Sequence, residues 1–114
     1  MEIKTQKKDG VNIVELSGSL DSSTSPQAQE QLLPLVVAKC LLVLDLSKCT
    51  YISSAGLRVL LMLAKQLTAK EARLALAGAC PEIKDVMEMT GFINFFLIHD
   101  SVPEAIEAVR KECA

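Results

Sequence analysis

The residues best placed to do chemistry fall in one short run, Ser53-Ser54-Ala55-Gly56-Leu57, at the start of a long apolar segment. Two readings fit a serine there. Its hydroxyl can accept the N–H of the second or third residue of a following helix, a cap worth about 1 kcal/mol. Equally, an exposed hydroxyl at a helix start can be phosphorylated, and the added anion would meet the positive end of the helix dipole. Catalytic readings have less support. The serine pair lacks the flanking glycines of a G-x-S-x-G elbow, and His99, the only histidine, is the only base available to a triad. Cys49 has no neighbour in sequence that would activate it as a nucleophile. Neither G-x-x-x-x-G-K-[ST] nor G-x-G-x-x-G occurs, so no glycine-rich phosphate loop is expected. Asp45 closes an apolar run and invites a receiver-like phospho-aspartate reading. That chemistry needs an acidic metal-binding pair after a first strand, and residues 1–10 hold none. Asp45 reads better as a carboxylate that orders its loop. Cys40, Cys49, Cys80 and Cys113 are widely spaced without a C-x-x-C, which points to buried or incidental thiols and no metal centre.

Composition narrows the classes of function. The chain has 114 residues, half of them hydrophobic and 23% charged, which suits one domain with a real core. Twelve basic and 14 acidic residues give a net charge of −2 with no basic block. With only four aromatic residues and no Trp, neither a phosphate-neutralising stripe nor a base-stacking platform is available, so nucleic acid is not an expected partner. The first residues lack the apolar stretch of a signal peptide, and the longest apolar runs fall far short of the roughly 20 residues of a membrane helix. A cytoplasmic location, with reduced cysteines and no membrane contact, is the expectation.

The elements that must position the serines follow from hydrophobic periodicity. Residues 11–17 alternate as a half-buried strand, and Asp9-Gly10 before them signals a hairpin with residues 2–7. Residues 17–26, rich in Ser, Thr, Asp and Gly, read as a loop. Pro26 suits the first turn of a helix running to about Val37, which Pro34 should kink or end early. Residues 41–46 form a continuous apolar run suited to a central strand, residues 47–51 lead out of it, and a helix covers 55–67, apolar nearly all round but for Arg58, Lys65 and Gln66. A strand at 72–77, a helix at 81–89 closed by Gly91, a short strand at 93–98 and an amphipathic helix at 103–113 complete the chain. The order β-β-α-β-α-β-α-β-α predicts one α/β domain with a mostly parallel sheet and an antiparallel hairpin edge. In such sheets function gathers beyond the carboxyl ends of parallel strands, here in the loops at 19–25 and 47–54.

At these residues the chain resembles a known family. Asp45-Leu46-Ser47-Lys48-Cys49-Thr50-Tyr51-Ile52-Ser53-Ser54-Ala55-Gly56-Leu57-Arg58-Val59-Leu60-Leu61 is similar to the signature of STAS domains, specifically the bacterial anti-sigma factor antagonists. Gly18-Ser19-Leu20-Asp21 is similar to that family's Gly-Glu-Leu-Asp turn, with Ser19 where Glu is usual. Leu76-Ala77-Gly78, Met89-Thr90-Gly91-Phe92 and 99–105 match its C-terminal pattern. The likeness spans residues 1–114 in order, and implies a single STAS-like domain with helices mainly on one face of a mixed sheet.

The resemblance also implies a mechanism, partner switching, in a protein that is not an enzyme and holds no cofactor. The unmodified antagonist binds an anti-sigma factor that is also a GHKL-type, ATP-dependent serine kinase. Phosphorylation of a serine at the start of the second helix dissociates the complex, and a PP2C-type phosphatase restores binding. Many members read Asp-Ser-Ser-Gly-Leu with the second Ser as acceptor. Aligned on Gly56-Leu57, that column here holds Ala55, so the resemblance assigns the phosphate to Ser54, with Ser53 the second choice. Asp21, Ser22, Ser53, Ser54, Gly56, Leu57 and Arg58 are the implied partner-binding residues. A STAS module regulating a target other than a sigma factor, in secretion or metabolism, is the alternative within the same fold.

Overall fold

The computed structural model describes residues 2–8, 10–37, 40–90 and 97–112. The expected hairpin opens the fold: β1 (Glu2–Lys8) pairs antiparallel with β2 (Val11–Leu20) in the register Ile3↔Leu16 and Thr5↔Val14. α1 (Ser25–Leu32) begins with Pro26 in its first turn and passes into a 3-10 turn at Leu33–Leu35. Pro34 has no N–H to continue the α-helical ladder, so the helix stops early as its position predicts. β3 (Leu41–Asp45) lies parallel to β2, β5 (Arg73–Ala77) parallel to β3, and β6 (Leu97–His99) parallel to β5. α2 (Ser54–Ala69), α3 (Pro81–Thr90) and α4 (Val102–Glu112) supply the crossovers and the C-terminal cover. The sheet order is β1-β2-β3-β5-β6. The proposed helix end at Gly91 and the strand residues 93–96 lie outside the described residues, as does Cys113.

Two expectations are corrected. β2 does not end at Ser17; it runs to Leu20, bending through a register shift between Gly18 and Ser19. Gly18 sits at φ +105, backbone that a β-carbon would strain, so the polar Ser-Gly-Ser stretch is a bulged strand end rather than loop. The partner of that extension is β4 (Cys49–Ile52), which runs parallel to it in the register Ser19↔Tyr51 and Leu20↔Ile52. β4 escapes a reading by alternation because only its ends, Cys49 and Ile52, are buried.

Strand alternation divides the buried side chains between two faces. On one, Val14, Leu16, Leu42, Leu44, Leu74 and Leu76 meet α1, α2 and α3 through Leu32, Leu60, Leu63, Leu67, Ile83 and Met87. On the other, Val11, Ile13, Val43, Ala75 and Ala77 meet Ala105, Ile106 and Val109 of α4. Among the described residues, three helices thus share a face and α4 covers part of the opposite one. α2 is fixed most firmly, since Leu57, Leu60, Ala64 and Leu67 recur at helical spacing along its buried side. No helix among the described residues is long and apolar enough to cross a membrane.

The packing predicts unequal costs for adjacent leucines of α2. Leu60 is fully buried, so Leu60→Ala should cost about 3 kcal/mol by the loss of contacts and the cavity left behind. Leu61 is half-buried, and Leu61→Ala should cost below about 1 kcal/mol. Urea unfolding should show a lower midpoint with unchanged slope for Leu60→Ala alone; equal midpoints for the two variants would contradict this packing.

Candidate functional site

The two loops that the strand order singles out meet where β2 and β4 end. The backbone N–H of Ser53 donates to the carbonyl of Leu20 at 2.9 Å, so the residue before Asp21 is tied to the residue before Ser54. Ser53 has the extended backbone of a helix N-cap (φ −85, ψ 174), and its Oγ accepts the Gly56 N–H at 3.2 Å while its carbonyl accepts that of Leu57 at 2.9 Å. The cap reading is therefore satisfied by Ser53. Ser54, the first residue of α2, is exposed, and its hydroxyl makes no hydrogen bond among the described residues. Of two adjacent serines, one holds the helix and the other offers its oxygen to solvent.

Gly56 makes this close approach sterically feasible. A β-carbon there would lie 2.6 Å from the Leu20 carbonyl oxygen, 2.9 Å from Leu20 Cγ and 3.1 Å from Ile52 Cγ2. Leu57, only 4% exposed, packs into the core beneath the turn, so Gly56 and Leu57 seat the site from below. Arg58, one helical turn beyond Ser54, is exposed.

The other loop is organised by a single carboxylate. Asp21 Oδ1 accepts the Ser23 hydroxyl at 2.7 Å, the Ser23 N–H at 2.9 Å and the Thr24 N–H at 3.1 Å. Thr24 locks it further: its hydroxyl donates to the Ser19 carbonyl at 2.7 Å and accepts the Asp21 N–H at 2.9 Å. The Ser25 N–H and hydroxyl both donate to the Asp21 carbonyl, carrying the turn into α1. The Ser23 hydroxyl, followed by the two backbone donors, lowers the pKa of the Asp21 carboxyl below its ordinary value. Ser22 stands exposed at the tip.

The remaining candidates are placed elsewhere. Asp45 Oδ1 accepts the Ser47 hydroxyl at 2.7 Å and the Ser47 N–H at 3.0 Å, the loop-ordering arrangement. Cys49 is buried in the core, and that burial pushes its thiol pKa up, away from the thiolate a nucleophile requires. Among the described residues no group of three or more His, Cys, Asp or Glu side chains could hold a metal ion. Two features went unread in the sequence. Tyr51, 55% exposed on β4, is a large aromatic side chain displayed beside the serines. Arg58, Leu61, Met62, Lys65 and Gln66 line a groove of about 320 Å³ on the outer side of α2. An aromatic residue in a polar approach, and apolar residues inside a helix's wet stripe, were the signals available.

Comparison with known proteins identifies the family and the fold. The profile of the STAS domain family matches residues 2–105. BtrV of Bordetella bronchiseptica, which carries the name of an anti-sigma factor antagonist, is 36% identical over 111 residues, covering 96% of each chain. An anti-sigma factor antagonist from Mycobacterium paratuberculosis has the same fold, with a TM-score of 0.86 at 25% identity over 96% of this chain and 93% of that one. SpoIIAA of Bacillus, at 18% identity, shares the fold in its unphosphorylated form (TM-score 0.73, 96% of this chain and 98% of that one) and in its phosphorylated form (TM-score 0.72, 95% and 99%).

Two outcomes follow from the turn itself. Gly56→Ala forces a β-carbon against backbone and should destabilise by about 2 kcal/mol or more, whereas Ser53→Ala should cost about 1 kcal/mol and Ser54→Ala less than about 0.5 kcal/mol. Thermal unfolding of the three variants checks the ranking, and a Ser54→Ala penalty larger than that of Ser53→Ala would reverse the assignment of the cap. Asp21 gives a pH signature. Its pKa is lower folded than unfolded, so its contribution is complete above the unfolded value and is lost as pH falls through the folded one. The stability gap between the native chain and Asp21→Asn should be constant near neutrality and shrink below about pH 4, measured by urea midpoints across that range. A constant gap throughout would contradict the network.

Proposed function

This chain is a member of the STAS-domain family, and on that premise we propose that it is an anti-sigma factor antagonist working by partner switching on Ser54. The unmodified chain binds an anti-sigma factor that is also a GHKL-type serine kinase, through Asp21, Ser22, Ser53, Ser54 and Arg58 over the seat made by Gly56 and Leu57. The kinase then transfers phosphate from ATP. Ser54 Oγ forms a bond to the γ-phosphorus as the bond from that phosphorus to the bridging oxygen of ADP breaks, and the hydroxyl proton passes to a base of the kinase. A PP2C-type phosphatase hydrolyses the ester and restores binding. The chain contributes a surface and an acceptor, not a catalytic group.

The observation that carries this reading is the division of labour between Ser53 and Ser54: the acceptor oxygen is exposed and unbonded while the helix keeps its cap. BtrV, at 36% identity, bears the name of an antagonist, and SpoIIAA shows that this fold exists in a phosphorylated form. Energetically, a phosphoserine adds between one and two negative charges at a place the helix dipole tolerates in the free chain. Inside a packed interface the same charge, without a partner cation, costs several kcal/mol, at least a hundredfold in affinity.

The test uses the purified chain, ATP and each GHKL-type serine kinase encoded by the same genome. One of them should label Ser54, as located by mass spectrometry, with an ester stable to hydroxylamine. Ser54→Ala should bind that kinase but take no label and resist release by ATP, while Ser54→Asp should bind at least tenfold more weakly. Full labelling of Ser54→Ala, a hydroxylamine-labile adduct, or equal affinity of the native, Asp-substituted and phosphorylated chains would overturn the proposal.

A further inference from the structure

The outer side of α2 carries more than the acceptor. Ser54, Arg58, Leu61 and Lys65 recur at intervals of four, three and four residues, so they share one face of the helix. Leu61 and Met62 are half-buried and line the groove, while the exposed cations Arg58 and Lys65 border it. Arg58 makes no ion pair among the described residues. This cationic rim stands on a chain whose net charge is −2.

We infer that Arg58 is a clamp with two alternative anions: in the unmodified chain it pairs with a carboxylate of the partner kinase, bordering an apolar side chain seated against Leu61 and Met62, and after phosphorylation it closes onto the Ser54 phosphate. The inference rests on the proposed phosphorylation of Ser54 and specifies how that event reaches the groove. The occupant follows from complementarity, since half-buried apolar residues between two cations fit an apolar knob flanked by acidic residues.

The clamp is a matter of helix geometry. Residues four apart lie about 6 Å apart at their β-carbons, and an acid N-terminal to a base is the favourable order. A guanidinium presents a planar fork to phosphate oxygens and binds them in two parallel hydrogen bonds, which an ammonium does not. The free N–H groups of the first turn add to the pull on the phosphate. Once Arg58 is held one turn back, the partner's carboxylate loses its cation and faces a nearby dianion instead. Release then has two sources, repulsion at Ser54 and a cation withdrawn from the groove.

Phosphoserine installed at position 54 during translation allows the clamp to be read on the free chain. Phosphorus-31 NMR titration should place the second phosphate pKa about half a unit lower in the native background than in Arg58→Gln, with Arg58→Lys between them. Calorimetry against the serine kinase that labels the chain should show about tenfold weaker binding of unmodified Arg58→Gln. Leu61→Asp should lose at least as much. Identical phosphate titrations in the native and Arg58→Gln chains, or native affinity of Arg58→Gln for the kinase, would overturn the clamp while leaving phosphorylation of Ser54 intact. Absence of any labelling kinase would instead overturn the proposed function, because the titration needs no kinase. Sedimentation of the chain alone should give a monomer; a dimer dissociated by Leu61→Asp would assign the groove to a second copy and overturn the proposed occupant.

Discussion

At the junction of β2, β4 and α2, the Leu20 carbonyl accepts the Ser53 N–H at 2.9 Å, and the space where a residue other than glycine would put its β-carbon at position 56 is already filled by Leu20 and Ile52. Because the first turn of α2 presses directly on the end of β2, the Asp21 loop and the serine pair share a single platform. β2 must run past its bulge to reach that place, and β4 exists to flank it through the pairs Ser19↔Tyr51 and Leu20↔Ile52. The leucines along the inner side of α2 then hold the helix at this height against the sheet.

On that platform the two serines diverge through backbone geometry alone. Ser53 is still extended, so its side chain turns back to the Gly56 N–H, and Ser54 is already helical, so its side chain points outward. The free chain can therefore accept a phosphate at Ser54 without surrendering its cap, and an anion there is electrostatically welcome in the first turn. In the proposed complex the same anion becomes costly, because a partner covers it without supplying a cation. The proposed switch rests on that contrast between exposed and covered states and requires no change of fold.

Much of this was legible in the sequence because local chemistry and fold agree there. The Asp9-Gly10 signal and the alternation after it gave the hairpin, Pro34 marked the early end of α1, and the apolar periodicity between Leu57 and Leu67 gave α2. The tail of β2 was hidden by its composition, since Ser17, Gly18 and Ser19 are turn-forming residues yet pair as a bulged strand. β4 was hidden because four residues with exposed Thr50 and Tyr51 show no period. Within the site, local chemistry allowed either serine to be the cap, the family resemblance favoured Ser54 for the phosphate, and the backbone angles at Ser53 assign it the cap. The groove was masked because Leu61 and Met62 count as core by composition but lie half-exposed beside Arg58 and Lys65.

Amide hydrogen exchange of the chain with its labelling kinase decides whether the ridge formed by the Asp21 loop and the outer side of α2 is the face that binds and releases the partner. Exchange should slow in the complex over residues 19–25 and 53–66 with little change in β1 and α4, and should not slow when Ser54 carries phosphate. Protection centred on β1 or α4, or an unchanged footprint on the phosphorylated chain, would contradict it.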